Sequence, residues 1–136
     1  MKKQIALLGI LFTLLFSACS GSETTSNVIE SRTWNLVQVN GSFTGEVSNF
    51  NRGTIKWTFN QSNGTLLVEN INTNPNLTDI LESGTYPYQR ISNPEPGSCA
   101  EILMIDGMNM GCFSVSNGQL IIDQAILDGY TLRLVP

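Results

Sequence analysis

Hydrophobic and polar residues alternate along most of the chain after Trp34, and turn-forming residues interrupt the alternation at short intervals. The pattern is clearest in residues 54–59, where Ile55, Trp57 and Phe59 alternate with threonine and lysine. Because successive side chains of a strand point to opposite faces, these three large apolar side chains share one face, which we expect to line the core. The alternation therefore predicts strands rather than helices.

Turn signals divide this region into about eight short strands. Asn63-Gly64 and Asn117-Gly118 each suit the positive φ angles of a tight turn, and so each pair predicts a hairpin. A single helical turn is the most that we expect, at residues 77–81. The first predicted strand starts at Trp34, and the others cover residues 54–59, 65–71, 84–91, 101–106, 110–115, 119–123 and 130–135.

Short strands joined mainly by hairpins hide their edges best by closing into a barrel. A two-sheet sandwich satisfies the same pattern. We favour the barrel, and the predicted fold class is therefore all-β: a small up-and-down barrel of about eight antiparallel strands.

The first eighteen residues have the three-part layout of an export signal. Lys2 and Lys3 precede an apolar run over residues 5–16, and the small residues Ser17 and Ala18 follow it. The run is shorter than the roughly 20 residues that span a hydrocarbon core, which argues against a permanent transmembrane helix. The layout predicts a signal peptide over residues 1–18.

Residues 15–19, Leu-Phe-Ser-Ala-Cys, resemble the lipobox of bacterial lipoproteins, with Phe16 where leucine usually stands. The resemblance implies cleavage before Cys19 and fatty acylation, such as palmitate, on its thiol, so that the membrane is a partner through this anchor. The alternative is an ordinary secretory signal with a cysteine nearby by chance. Ser20 is not the acidic residue that retains some lipoproteins at the inner membrane, which favours the outer membrane of the cell envelope.

Residues 20–31 are rich in serine and threonine and contain no aromatic residue. Such a composition buries too little apolar area to offset the entropy of ordering the chain. We therefore expect residues 19–31 to be a lipidated cysteine and a flexible tether, followed by one barrel domain over residues 32–136.

Two cysteines, Cys99 and Cys112, remain once Cys19 is assigned to the lipid. Export places them where disulfides persist, so we predict a Cys99–Cys112 disulfide that stabilises the fold by about 3 kcal/mol. The alternatives are two buried free thiols or a metal site, and the absence of histidine from the sequence disfavours the metal site.

Charge and composition narrow the function classes. Without Lys2 and Lys3 the seven basic residues become five against eleven acidic ones, a net charge of −6. This balance disfavours nucleic acid as a partner. Hydrolase triads that need histidine are excluded, the carboxylates are scattered, and the oxygen-rich residues 70–79 lack the spacing of an EF-hand. We expect no enzyme, no cofactor and no metal ion.

Four segments resemble the lipocalin-like lipoproteins that are common in flavobacteria and their relatives: residues 33–36, 53–59, 83–86 and 130–134. The resemblance covers residues 31–136 and implies a lipocalin-like barrel. True lipocalins carry Gly-x-Trp at the first strand, whereas this chain has Arg32 at the glycine position. Arg133 is a candidate for the late-strand arginine that packs over the tryptophan, the alternative being that it faces solvent.

Two functions remain open at this stage. In the first, the barrel binds a small apolar ligand through its aromatic residues, although the same residues can simply fill the core of an eight-stranded barrel. In the second, a filled barrel has a structural role or contacts a protein partner in the envelope. An open internal cavity favours the first and a filled interior the second. The candidate ligand-binding residues are Trp57, Phe59, Tyr86, Tyr88 and Tyr130.

Overall fold

The computed structural model describes residues 31–41, 45–95, 99–124 and 129–136, and the regular elements in these ranges are all strands. The predicted signal peptide, Cys19 and the tether up to residue 30 lie outside the described residues. Within the described ranges, no helix has the length and apolar character needed to cross a membrane. The strands are β1 (Thr33–Gly41), β2 (Val47–Asn49), β3 (Ile55–Asn60), β4 (Thr65–Asn70), β5 (Gly84–Ser92), β6 (Glu101–Ile105), β7 (Met108–Ser116), β8 (Gln119–Asp123) and β9 (Tyr130–Val135).

The strands form one closed antiparallel barrel. From β3 to β9 each strand pairs with the next, and β9 pairs back with β1, where Leu36 lies opposite Leu134. The other edge of β1 pairs with β3 near its start and with the short β2 further along. The predicted all-β barrel of eight strands is thus confirmed, and the sandwich is excluded. The additional strand β2 has three residues, too few to show an alternating pattern.

Tight turns set the hairpins of the second half. Asp106-Gly107 and Asn117-Gly118 have positive φ angles at both residues, as type I′ turns require. These angles match the right-handed twist of the flanking strands. The hairpin predicted at Asn117-Gly118 is confirmed, and its position fixes which side chains of β7 and β8 face inward.

Apolar side chains fill the barrel interior. Every inward position of β3 is fully buried, as the alternation predicts, and β8 and β9 contribute inward leucines and isoleucine in the same way. Trp34 of β1 lies directly opposite Trp57 of β3. The largest fully buried side chains are Trp34, Trp57, Phe59, Leu36, Ile55, Leu66, Leu103, Ile105, Leu120, Ile122 and Leu132.

The two ends of the barrel differ in chemistry. One, which we call the closed end, holds the start of β1 and the connections at residues 61–64, 93–100 and 117–118. There the guanidinium of Arg90 lies 5.1 Å from the ring centre of Phe113 and pairs with Glu101. The guanidinium of Arg32 lies 5.3 Å from the ring centre of Trp34. Two arginines therefore cover aromatic rings at this end.

The arginine that covers Trp34 is Arg32, and Arg133 does not take this role. Arg133 alternates with the buried Leu132 and Leu134, so its side chain points away from the interior. Arg32 reaches the ring because it precedes Trp34 by two residues and lies on the same face. The residue that departs from the lipocalin pattern thus supplies the cation itself.

The opposite end, which we call the open end, holds the connections at residues 42–46, 50–54, 71–83, 106–107 and 124–129. The connection 50–54 adjoins loop 71–83, because the carbonyl of Thr54 accepts a 2.9 Å hydrogen bond from the backbone N–H of Ile71. The longest, residues 71–83, turns inward and places Leu81, which is buried, and the partly buried Leu77 against the core. These leucines belong to an irregular loop, so the helical turn predicted at residues 77–81 is wrong. Core burial of apolar side chains, rather than helical periodicity, explains their spacing.

Candidate functional site

The predicted aromatic residues divide into an interior group and an exposed residue. Phe59 contacts Trp57 and Tyr88 edge-on, with ring centres 6.4 Å and 5.2 Å apart. Tyr86 is partly buried, and its hydroxyl donates a 2.9 Å hydrogen bond to the carbonyl of Glu82. Tyr130 lies at the open end and is 38% exposed. The structure therefore brings three of the five together in the core and separates Tyr130 from them.

The aromatic core contains three buried polar groups, two indole N–H groups and the hydroxyl of Tyr88. The indole N–H groups of Trp34 and Trp57 are buried and donate no hydrogen bond. Leaving a buried donor unpaired costs about 1–3 kcal/mol. Burial also raises the pKa of the Tyr88 hydroxyl, while the positive charge of Arg90 lowers it by a smaller amount.

A cavity of about 560 Å³ opens at the open end of the barrel. Loop 71–83 forms one wall, and the first residues of β7 and β9 form the others. Tyr130 is the one predicted ligand-binding residue in its lining. The lining residues are Thr78, Asp79, Ile80, Met108, Asn109, Met110, Gln124 and Tyr130.

Exposed apolar side chains occur at this end of the barrel. Met108, in the cavity lining, is 49% exposed, and Val47, the first residue of β2, and Ile71, the first residue of loop 71–83, are 49% and 72% exposed. Isolated exposed apolar residues are common on protein surfaces, but several at one end of a domain, beside a cavity, are typical of an interaction site.

Ile80, in the wall of the cavity, has an unusual backbone conformation, with φ of 68°. A β-branched residue at positive φ is strained by about 1–3 kcal/mol, and such strain clusters at binding sites. Its neighbours hold it in place, because the N–H of Thr78 donates to the hydroxyl of buried Ser48 at 2.8 Å. Sequence reasoning missed Ile80, since its conformation depends on contacts between distant residues.

Asparagine side chains hold the remainder of loop 71–83. The side-chain amide groups of Asn70 and Asn72 donate to the same oxygen of Asp79, at 2.8 Å and 3.2 Å. The side-chain oxygens of Asn70, Asn72 and Asn74 accept backbone N–H groups two residues further on. The polar groups of this segment thus organise the loop itself and position Asp79 at the cavity.

A second cavity, of about 400 Å³, lies on the outer wall over β6, β7 and β8. Cys112 is in its lining, and the predicted disulfide is present, joining Cys99 to Cys112 with their Cα atoms 5.5 Å apart. Neither cavity is lined by Trp57, Phe59, Tyr86 or Tyr88. The two cavities therefore lie outside the aromatic core.

Fold and site together define an antiparallel β-barrel with a packed core and a cavity at one end. No protein-family model matches the chain, and no curated protein and no solved structure shows significant similarity to it. The resemblance to lipocalin-like lipoproteins stays a prediction. Among the described residues, no three acidic or cysteine side chains are grouped as a metal site requires.

Proposed function

We propose that the protein is a lipid-anchored component of the cell envelope, of the outer membrane in particular, that binds a protein partner through the open end of its barrel. The observation that carries this proposal is the coincidence, at one end, of a cavity, exposed apolar side chains and the strained Ile80. A filled interior supports a surface-binding role because it leaves little room for an enclosed ligand.

The partner site is tested by photocrosslinking in living cells of the host. A benzophenone amino acid replaces Tyr130, which is 38% exposed at the cavity, or Leu67, which is 45% exposed on the outer wall of β4. We expect a discrete crosslinked product from position 130 and none from position 67. Equal crosslinking from both positions, or none from position 130, would contradict a partner at the open end.

The lipid anchor is supported by the order of charge, apolar run, small residues and Cys19 in the sequence. We expect the N-terminal peptide of the mature protein to begin at Cys19 and to carry fatty acyl groups detectable by mass spectrometry. The variant Cys19→Ser should lose the acyl groups and leave the membrane fraction. A wild-type N-terminal peptide without acyl groups would refute the anchor.

A small ligand is the second candidate function, and the buried indole N–H groups of Trp34 and Trp57 favour it. A ligand with a hydrogen-bond acceptor would satisfy these donors if the core opened to admit it. Native mass spectrometry of protein from its own host, before and after denaturation, tests this candidate. A defined extra mass that is lost on unfolding would support the ligand. A native mass equal to that of the protein alone would contradict the ligand and leave partner binding as the proposed function.

A further inference from the structure

Acidic residues are concentrated in the connections of the open end. The described residues of these connections include four acidic residues and one basic residue, Arg52 in the connection 50–54. The acidic residues are Glu46, Asp79, Glu82 and Asp106. The described part of this end therefore has a net formal charge of −3, four acidic residues against one arginine.

The cavity itself also has an acidic wall without a basic residue. Asp79 is part of the cavity wall, and no basic residue lines the cavity. Asp106 belongs to the turn that precedes Met108, and both residues are exposed. Negative charge and apolar surface thus occur side by side around one opening of about 560 Å³, enough space for one or two inserted side chains.

Apart from Arg52, the basic residues of the described domain lie elsewhere. Arg32 and Arg90 cover aromatic rings at the closed end. Lys56 pairs with Glu69 on the outer wall at 2.9 Å. Arg133 points outward from β9. Of the basic residues in the described domain, only Arg52 belongs to an open-end connection, and it does not offset the four acidic residues there.

We propose that the open end binds a basic polypeptide segment, in which lysine or arginine residues flank one apolar side chain that enters the cavity. This inference rests on the proposed partner-binding function and names the chemistry of the partner. Electrostatic complementarity of this kind speeds association and selects against wrong partners. An anionic membrane surface is disfavoured by like charge, and so is a second copy docked through the same end.

The experiment is a selection from a random peptide display library. The target is the full chain as its host makes it, held in phosphatidylcholine nanodiscs. Parallel selections use the variant Glu82→Gln/Asp106→Asn, which removes two acidic groups at the open end, and a control, Glu95→Gln/Glu101→Gln, which removes two acidic groups at the closed end and has the same net charge. Asparagine at position 106 tolerates the φ of 50° found there.

We expect enriched peptides with lysine or arginine around an apolar residue. The open-end variant should weaken their binding at least about threefold at low salt, and the control variant should not, because screened charges act over about 10 Å. Binding should weaken further as salt is raised.

Each other outcome has a defined meaning. Enrichment of neutral or acidic peptides that block crosslinking from a benzophenone amino acid at position 130 would overturn the basic partner. The same result would leave the open-end site standing. Enrichment of no peptide at the open end would overturn both proposals. Preferential binding of the full chain to anionic vesicles, or its self-association, would replace the polypeptide partner.

Discussion

Gly111 occupies a position that only glycine fits. Its φ is 87°, and a Cβ atom there would lie 2.1 Å from the carbonyl oxygen of Asp123. We expect Gly111→Ala to lower the free energy of unfolding by at least about 3 kcal/mol, since it combines backbone strain with a clash against backbone. Urea unfolding of the purified protein measures the loss.

Gly53 provides a matched control, because it has the same φ of 87° and a Cβ atom there would have no neighbour within 4 Å. Gly53→Ala should therefore cost only the strain of a left-handed conformation, about 1–2 kcal/mol. Equal losses for the two variants would show that the contact with Asp123 is relieved by a small backbone shift.

Ionisation of Tyr88 should lower the free energy of unfolding at alkaline pH. Burial raises the pKa of its hydroxyl, against a smaller opposing effect of Arg90, so the folded protein holds this proton more tightly than the unfolded chain does. The resulting stabilisation is complete below about pH 10 and is lost as pH rises further. We expect Tyr88→Phe to flatten the decline of stability between pH 10 and the raised pKa. An unchanged decline, with Tyr86 and Tyr130 intact in both proteins, would show that Tyr88 does not cause it.

At the residue scale, alternation predicts burial but not special conformations. The inward positions Ile55, Trp57 and Phe59 could be predicted because a strand has a strict period of two. The roles of Arg32 and Ile80 could not, since each depends on how a flexible side chain or loop packs against distant residues. Tyr130 shares the inward face of β9 with Leu132 and Leu134, but it lies beyond the end of the core.

The disulfide joins two elements that sheet hydrogen bonds already bring close. Cys99 precedes β6, and Cys112 lies in β7 opposite Ile102. The two cysteines are 13 residues apart in sequence. Closing this loop lowers the conformational entropy of the unfolded chain, which should stabilise the fold by about 3 kcal/mol.

We expect Cys99→Ser/Cys112→Ser to lower the unfolding free energy by that amount and reductant to have no further effect on the variant. Thermal unfolding with and without reductant measures both. A loss well below about 1 kcal/mol in wild type on reduction would show that the pairing of β6 with β7 alone holds this region.

Among the elements, hairpins were the most predictable because their turns carry local signals. Strand limits agree with the sequence pattern to within two residues, and those of β8 and β9 agree fully. The short β2 and loop 71–83 could not be predicted, because their positions come from pairing with β1 and from the burial of Leu77 and Leu81. The candidate site lies at that loop, which is why only Tyr130 of its residues was identified beforehand.

The whole barrel is expected to fold without the N-terminal segment. The barrel closes by pairing of β1 with β9, and the strand pairs on both edges of β1 begin at Thr33 or later. A chain of residues 31–136 should unfold in one cooperative transition and show near-ultraviolet circular dichroism from buried Trp34 and Trp57. A molten state, with strand content but no near-ultraviolet signal, would show that the preceding segment contributes to packing.

The chain enters the barrel at the closed end, and under the proposed anchoring at Cys19 this entry point would set how far a bound partner is from the lipid. Strands of six residues span about 20 Å, and the flexible tether of twelve residues predicted from the sequence would add a root-mean-square length of about 20 Å. For a chain anchored at Cys19, the open end can therefore stand about 40 Å from the bilayer and face away from it. A partner that itself lies flat on the same leaflet would require the domain to tip over, whereas one that projects from the opposite surface would meet the open end directly.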